Sequence, residues 1–412
     1  MRILFLSDNF PPEGNAPASR LWEHATRWVR DGHEVTVITC APNFPEGRLY
    51  EGYTNSWRQI EVLEGIHVVR VKTYITANEG FIKRTLDYMS FMFMGFIMGL
   101  FERRPDVVVA TSPQFFCAIG GWALSVAKCR PFVFELRDLW PASIIAVGAM
   151  RKSRVIRVLE KAELFLYRRA RLIITVTESF RQDLIKRGVS SEKISVVRNG
   201  VDLDQYFPKP RDSELEAEFG LRNKFVAGYI GTHGLAHALP KVLEAAALLK
   251  DRTNIVFFFM GAGAERARVA ALVEEHGLTN VRLVPRQPKE RMSDFWSLCD
   301  VALVPLRDSP VFATVIPSKI FESMGMGIPI LMSLPAGEAT EIIRSDDVGL
   351  CVPPEDPQAM AEALLRLSAD QASMERYRKN AMAAAQRYSR EVMAQEMLGF
   401  LAQAVDGPDS AR

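Results

Sequence analysis

Short apolar runs alternate with helically spaced segments along almost the whole chain. Arg2 to Ser7 is an apolar run, DNFPPEGNAPASR follows as a loop, and Leu21 to Arg30 has helical spacing closed by Asp31, Gly32 and His33. Glu34 to Thr39 reads as a second strand, so the chain opens as a βαβ unit. Further strands are expected at Ile66 to Val71, Asp106 to Ala110, Phe132 to Leu136, Leu172 to Val176 and Ile194 to Val197. This alternation predicts a parallel, doubly wound sheet. The segment VVRNGVDLDQYFP, Val196 to Pro208, breaks it with Asn, Gly, Asp and Pro, and marks a domain boundary. The pattern restarts at Phe225 to Ile230 and continues with strands at Ile255 to Met260, Val281 to Val284, Val301 to Val304, Ile328 to Met332 and Gly349 to Val352. Asp370 to Val405 carries no strand signal and reads as one or two long helices.

Composition narrows the class. The chain has 412 residues and 48% apolar content, enough for two domains with full cores. A net charge of +2 argues against a general nucleic-acid binder. Between Arg151 and Arg187, however, eleven Lys or Arg stand against four acids, a local net of +7. The five cysteines, Cys40, Cys117, Cys129, Cys299 and Cys351, lack metal-ligand spacing and read as buried thiols of a reducing cytosol. MRILFLSDN is a strand rather than a signal-peptide core. Tyr88 to Phe101, YMSFMFMGFIMGLF, is uncharged between the pairs Lys83, Arg84 and Arg103, Arg104, and too short to span a bilayer. It reads either as a core helix or as a helix lying on an anionic membrane, with the basic stretch adding attraction; the membrane reading is preferred for its apolar girth and basic flanks.

The most informative chemistry lies in Val311 to Met332, VFATVIPSKIFESMGMGIPILM. Pro317 suits a first helical position, and Gly325 and Gly327 end a short helix. The N–H groups of Ser318, Lys319 and Ile320 are then expected to lack intrahelical partners, which suits a phosphate. Glu322, one turn after Ser318, would face the same way and accept the two hydroxyl protons of a ribose. The bland alternative is an amphipathic helix with Glu322 in water.

This stretch resembles the donor-binding segment of family 4 retaining glycosyltransferases, in which a Glu, seven residues and a second Glu precede a small-residue turn. Glu322 matches the second Glu, and Thr314 occupies the first position. PSKIFE followed by MGMGIPI is similar to a branch acting on polyprenyl-linked glycans, such as N-acetyl-L-fucosamine transferases. Other phrases match the family in order: PPEG after the first strand, DGHEVTVIT, RNGVD before a Phe-Pro, a Gly loop after the first strand of the second half, and DVGLCVPPED.

The resemblance implies a GT-B fold, two Rossmann-like doubly wound domains: 1–203 for the acceptor, 204–386 for the nucleotide-sugar donor, and 387–412 a helix returning to the first domain. It implies a retaining, metal-independent transferase without cofactor. Its partners would be a nucleotide sugar, most simply a UDP-linked amino or deoxy sugar, a polyprenyl-linked acceptor for O-antigen or capsule, and the inner face of the membrane. The family's diphosphate-gripping Arg and Lys fall here on Thr232 and His237. Gly231, Thr232, His233, Ile316, Ser318, Lys319 and Glu322, with Arg286 and Lys289 as further cations, are the expected donor site. Arg137 and Asp138, where the family carries His-Asp, join Glu322 as expected catalytic groups. Gly14, Asn15 and Trp140 are placed with the acceptor, Gly14 for close backbone approach and Trp140 as a face for a sugar ring. Asp202 and Asp204 form a DxD, but their Pro-bounded setting reads as turn chemistry. Gly261, Ala262 and Gly263 follow a strand, yet Arg266 stands where a dinucleotide fingerprint needs Gly or Ala. Two rivals stay open: a nucleotide-sugar 2-epimerase of the same fold, and a non-catalytic binder of nucleotide sugars or lipid diphosphates.

Overall fold

The structure is a computed structural model that describes residues 1–44, 46–76, 81–112, 114–139 and 154–407. Its contacts divide it into two compact units, Met1–Arg198 with Glu391–Arg412, and Asn199–Arg390. Each unit is built on one twisted sheet with helices on both faces, the GT-B type of Rossmann-like layer.

In the first unit the strands are β1 (Arg2–Leu6), β2 (Glu34–Cys40), β3 (Arg58–Leu63), β4 (Ile66–Val71), β5 (Val107–Thr111), β6 (Phe132–Leu136), β7 (Leu172–Thr175) and β8 (Ile194–Val196). Their order is β3-β4-β2-β1-β5-β6-β7-β8. All neighbours pair in parallel except β3, which pairs antiparallel with β4. The expectation of a wholly parallel sheet is corrected at that edge. Central strands are buried on both faces and read as continuous apolar runs, whereas β3 (RQIEVL) half-exposes alternate residues and its signal is diluted by Arg, Gln and Glu.

Alternation along the strands builds two cores. Leu4, Leu6, Ile38 and Val108 pack beneath Phe91, Leu124 and Leu166. Ile3, Phe5, Val37 and Val109 pack beneath Leu21, Trp28, Met397 and Leu401. The Trp28 indole N–H donates to the Ala394 carbonyl at 2.9 Å, pinning the terminal helix Arg390–Asp406 to the helix Ala16–Arg30. That helix starts five residues before the expected Leu21, because the Asn15 side chain caps it by accepting from the Ala18 N–H at 3.0 Å.

The second unit holds β9 (Phe225–Ile230), β10 (Ile255–Met260), β11 (Val281–Val284), β12 (Val301–Pro305), β13 (Ile330–Ser333) and β14 (Gly349–Val352). They run in parallel in the order β11-β10-β9-β12-β13-β14. Val256, Phe258 and Met260 face Trp296, Ile320 and Phe321, and Phe257 and Phe259 face Leu239, Leu243 and Leu364. The strand order reverses at β9, between β10 and β12, so a crevice is expected at the carboxyl ends of these strands.

Among the described residues no helix is long and apolar enough to cross a membrane. The helix Phe81–Phe101 packs Phe91, Gly95 and Gly99 inward against Leu6, Ile38 and Leu124, and turns Leu86, Phe93, Ile97, Leu100 and Phe101 outward. One face of this helix is thus core and the other is exposed. Contrary to the expectation that all five thiols are buried, Cys351 is half-buried and Cys129 is exposed, in the left-handed turn ending the helix Phe115–Lys128.

Candidate active site

The loop after β9 leaves the carboxyl end of that strand, where the reversal of strand order is expected to open a crevice. Gly231 has φ +145, which spares the backbone a side chain where Lys319 passes: a Cβ there would lie 3.1 Å from the Lys319 amine. The next turn is locked to the loop after β10. The His233 N–H donates to the Ala262 carbonyl at 2.9 Å, and the Glu265 N–H to the His233 carbonyl at 2.8 Å. Gly261 and Gly263 admit this approach, since a Cβ at Gly261 would strike the Gly231 carbonyl. The Gly-Ala-Gly stretch therefore braces a neighbouring loop.

Lys319 opens the helix Lys319–Gly325 and is only 8% exposed. Its Nζ sits 3.7 Å above the centre of the Tyr229 ring and has no hydrogen-bond partner among the described residues. The Tyr229 hydroxyl donates to the Thr232 carbonyl at 2.5 Å, which fixes the ring. Burial lowers the Lys319 pKa to about 7, with Glu322 opposing the shift. Burial and neighbouring cations, Arg266 and Lys319 for His233, mainly Lys319 for His237, lower both imidazoles to about 4, so both are neutral near pH 7. Their rings flank Tyr229 at 5.7 and 5.9 Å.

Glu322 is partly exposed, one turn beyond Ser318, to whose carbonyl its N–H donates at 3.3 Å. Burial raises its pKa, opposed by Arg390, Lys319, Trp296 and Lys289. The Trp296 indole N–H approaches this carboxylate without closing a hydrogen bond of good geometry. The helix start differs from the expected one. Ser318 is the N-cap and Pro317 precedes it, and the Ile320 N–H is spent on the Pro317 carbonyl at 3.1 Å. Among the described residues the N–H groups of Ser318 and Lys319 find no acceptor, while the Ile320 and Phe321 N–H groups close a tighter 3₁₀ turn. Met326 caps the helix and Gly327 follows at φ +66.

Of the other expected donor residues, Ile316 is buried in the core and Thr232 presents its side chain to solvent. Arg286 is exposed on the loop after β11 and makes no hydrogen bond or ion pair among the described residues. Asp202 and Asp204 close an Asx turn: the Asp202 carboxylate accepts the Asp204 N–H at 3.1 Å. Among the described residues no three His, Cys, Asp or Glu converge as a metal site.

In the first unit, the N–H groups of Arg137 and Asp138 both donate to the Ser112 hydroxyl, at 2.6 and 3.1 Å. The Arg137 guanidinium turns back to the Ala16 carbonyl at 3.2 Å, and burial lowers its pKa to about 10. Gly14 is exposed, and a Cβ there would meet no protein atom within 4 Å. Asn15 is engaged as a helix cap and also donates to Asn9. Trp140 lies outside the described residues. Sequence reasoning missed Tyr229 and Trp296 beside the donor residues, and Asp8, Glu13 and Asp87 in the first unit. Asp8 alone carried a signal, as a charge at the carboxyl end of a strand.

Residues 18–205 match the family model described as Glycosyltransferase Family 4, and residues 212–384 the model described as Glycosyl transferases group 1. The colanic acid biosynthesis glycosyl transferase WcaI of Escherichia coli (strain K12) is 26% identical over 382 residues, 88% of this chain and 91% of its own. The glycosyltransferase WbjE of Pseudomonas aeruginosa is 27% identical over 269 residues, 64% of this chain and 66% of its own. Among solved structures, sucrose-phosphate synthase of Thermosynechococcus elongatus superposes with a TM-score of 0.74 at 19% identity, covering 98% of both chains. HepE of Anabaena in complex with UDP-glucose superposes with a TM-score of 0.70 at 19% identity, covering 98% of this chain and 100% of its own.

Proposed function

Because the chain is a glycosyltransferase of the group 1 and family 4 type with the GT-B fold, we propose that it moves a sugar, with retention, from a UDP-linked donor to a polyprenyl-diphosphate-linked acceptor during synthesis of a surface polysaccharide. The observation that carries the donor half is Lys319: a buried amine without a hydrogen-bond partner, beside a glycine that leaves backbone room, is suited to an incoming diphosphate. The second unit then holds the donor and the first the acceptor. Glu322 accepts the ribose diol, and protonated Lys319 with the open N–H groups of Ser318 and Lys319 takes up charge as the sugar–phosphate bond lengthens. Neutral His237, partly exposed, is available to donate a hydrogen bond to a phosphate oxygen or sugar hydroxyl, whereas His233 is fully buried. Asp138 holds the acceptor hydroxyl. Thr314, at the position of the family's first Glu, donates its hydroxyl to the Val311 carbonyl at 2.8 Å.

The acceptor half is supported by the relatives named for colanic acid and by the amylovoran biosynthesis glycosyltransferase AmsK of Erwinia amylovora. The same reading seats the first unit on the inner face of the membrane, supported by the exposed stripe Leu86, Phe93, Ile97 and Leu100 with exposed Lys83, Arg84, Arg103 and Arg104 at its ends. A panel of nucleotide sugars screened for protection against thermal unfolding tests the donor. A ligand at a hundred times its Kd adds about 2.7 kcal/mol. Protection confined to UDP-sugars, followed by transfer to a polyprenyl-linked glycan, is expected; protection by none of the panel would remove the reading.

A further inference from the structure

Three of the basic residues between Arg151 and Arg187 meet at one place in the first unit. Arg168, Arg169 and Arg171 line a cavity of about 960 Å³ at the amino ends of β6 and β7, together with Arg130 before β6 and Lys193 before β8. Its volume lies within the roughly 300–1,000 Å³ of small-molecule sites. β6 is five residues long, so at about 3.3 Å per residue the cavity lies about 16 Å from the carboxyl end of the sheet, where ligands of such folds enter. Among the described residues lining it none is an Asp or Glu.

Cations also complement helix C-termini, and three helices end here: Phe115–Lys128, Arg154–Arg169 and Arg390–Asp406. Each C-terminus counts as about half a negative charge and exposed Asp406 adds one, so about two and a half negative charges face the five cations. Contacts do not absorb the excess. The Arg130 Nε is buried and has no hydrogen-bond partner among the described residues, which is costly for a charged donor. Burial and then Arg171 hold the Lys193 pKa below its ordinary value, although its amine donates to the carbonyls of Arg168 and Ala170 at 3.0 and 3.3 Å. One wall is aromatic: Trp122 meets Phe165 edge-on at 4.9 Å, and the Arg169 guanidinium lies 5.4 Å from the centre of the Phe165 ring. Arginine forks bind phosphate oxygens in pairs, and the aromatic wall beside them suits an organic group.

We propose that this cavity is a second phosphate site, apart from the carboxyl end of the sheet, and that it binds a phosphate ester whose apolar portion rests on Trp122 and Phe165. Soluble esters and anionic lipid headgroups share that chemistry. A lipid is within reach because Arg104, just past the helix Phe81–Phe101, donates to the Lys128 and Cys129 carbonyls at 3.1 and 3.5 Å. Exposed Cys129 on the cavity wall reports occupancy independently of any ligand held by the second unit. The experiment measures how fast iodoacetamide alkylates Cys129 of the full chain, followed by peptide mass spectrometry. The additions are phenyl phosphate, phosphatidylcholine vesicles with and without phosphatidic acid, and potassium chloride at matched ionic strength. Ionic strength is matched because nearby cations activate a thiolate and screening alone slows it. Phenyl phosphate is expected to slow alkylation more than chloride does. Arg168→Gln combined with Arg169→Gln, both exposed, is expected to weaken that protection about tenfold, and so is Arg130→Met. Melting temperatures identify a variant that misfolds, and the other then decides. Protection by phenyl phosphate, with or without protection by the vesicles, supports a soluble ester; protection by phosphatidic acid vesicles alone, lost in the same variants, supports a lipid headgroup. Protection no greater than that of chloride and of pure phosphatidylcholine, or undiminished in the folded variants, would overturn the proposal.

Discussion

The Lys319 amine lies 3.7 Å above the centre of the Tyr229 ring, buried and without a hydrogen-bond partner among the described residues. The aromatic face stabilises the cation only in part, so burial still lowers its pKa to about 7. A bound diphosphate would supply the missing partner and raise that pKa. Below pH 7 the amine is already protonated; above it, binding must first take up a proton. Affinity for a UDP-sugar, whose diphosphate does not titrate near neutrality, should be flat below pH 7 and fall by up to tenfold per unit above it. In Lys319→Met the affinity should be weaker and the slope gone. Calorimetric titration between pH 6 and 9, conditions chosen to bracket about 7, checks both.

Arg20 and Glu135 form a buried ion pair at 2.8 Å, and Arg20 also donates to the carbonyls of Val197 and Arg198. Burial alone would raise the Glu135 pKa, but Arg20 and then Arg137 outweigh it and hold it below the ordinary value. Arg20→Met should destabilise the chain by about 3–5 kcal/mol by stranding the carboxylate. Arg20→Met with Glu135→Leu should recover much of that loss. Urea unfolding of the three proteins measures it.

Transfer is expected to persist in excess chelator. The groups arranged for the diphosphate are Lys319 and two N–H groups, and the Asp202 carboxylate is already engaged by the Asp204 N–H. Activity abolished by chelation and restored by manganese would return attention to Asp202 and Asp204.

The outward stripe of the helix Phe81–Phe101 should bind anionic vesicles at low salt and release partly at high salt. Phe93, Ile97 and Leu100 changed together to Ser should abolish co-sedimentation while keeping the fold. Phe91 is excluded because it is fully buried, and its replacement would unfold the domain. Wild type that ignores such vesicles would end the membrane reading.

What could be read from the chain depended on how local the cause was. Strands such as Ile66–Val71 and Phe132–Leu136 were legible to the residue, since burial on both faces keeps the run mostly apolar even though each holds a buried charge, Arg70 and Glu135. The edge strand Arg58–Leu63 was not, because half of it meets water. Glu322 and Lys319 stood out through a local phrase. Tyr229 beneath Lys319, and Asp87 beside Asp8 and Glu13, come together only through long-range packing, which leaves no spacing to read. The helix Phe81–Phe101 left both of its readings open because an evenly apolar sequence does not say which side is covered.

The most direct test of a nucleotide site in the second unit is the UDP dissociation constant of wild type and Glu322→Ala by calorimetry, with melting curves to confirm folding. Loss of a charge-assisted hydrogen-bond pair to the ribose should cost about 1.5–3 kcal/mol, at least tenfold in affinity. An unchanged constant in a folded variant, or no UDP binding by wild type, would contradict the assignment.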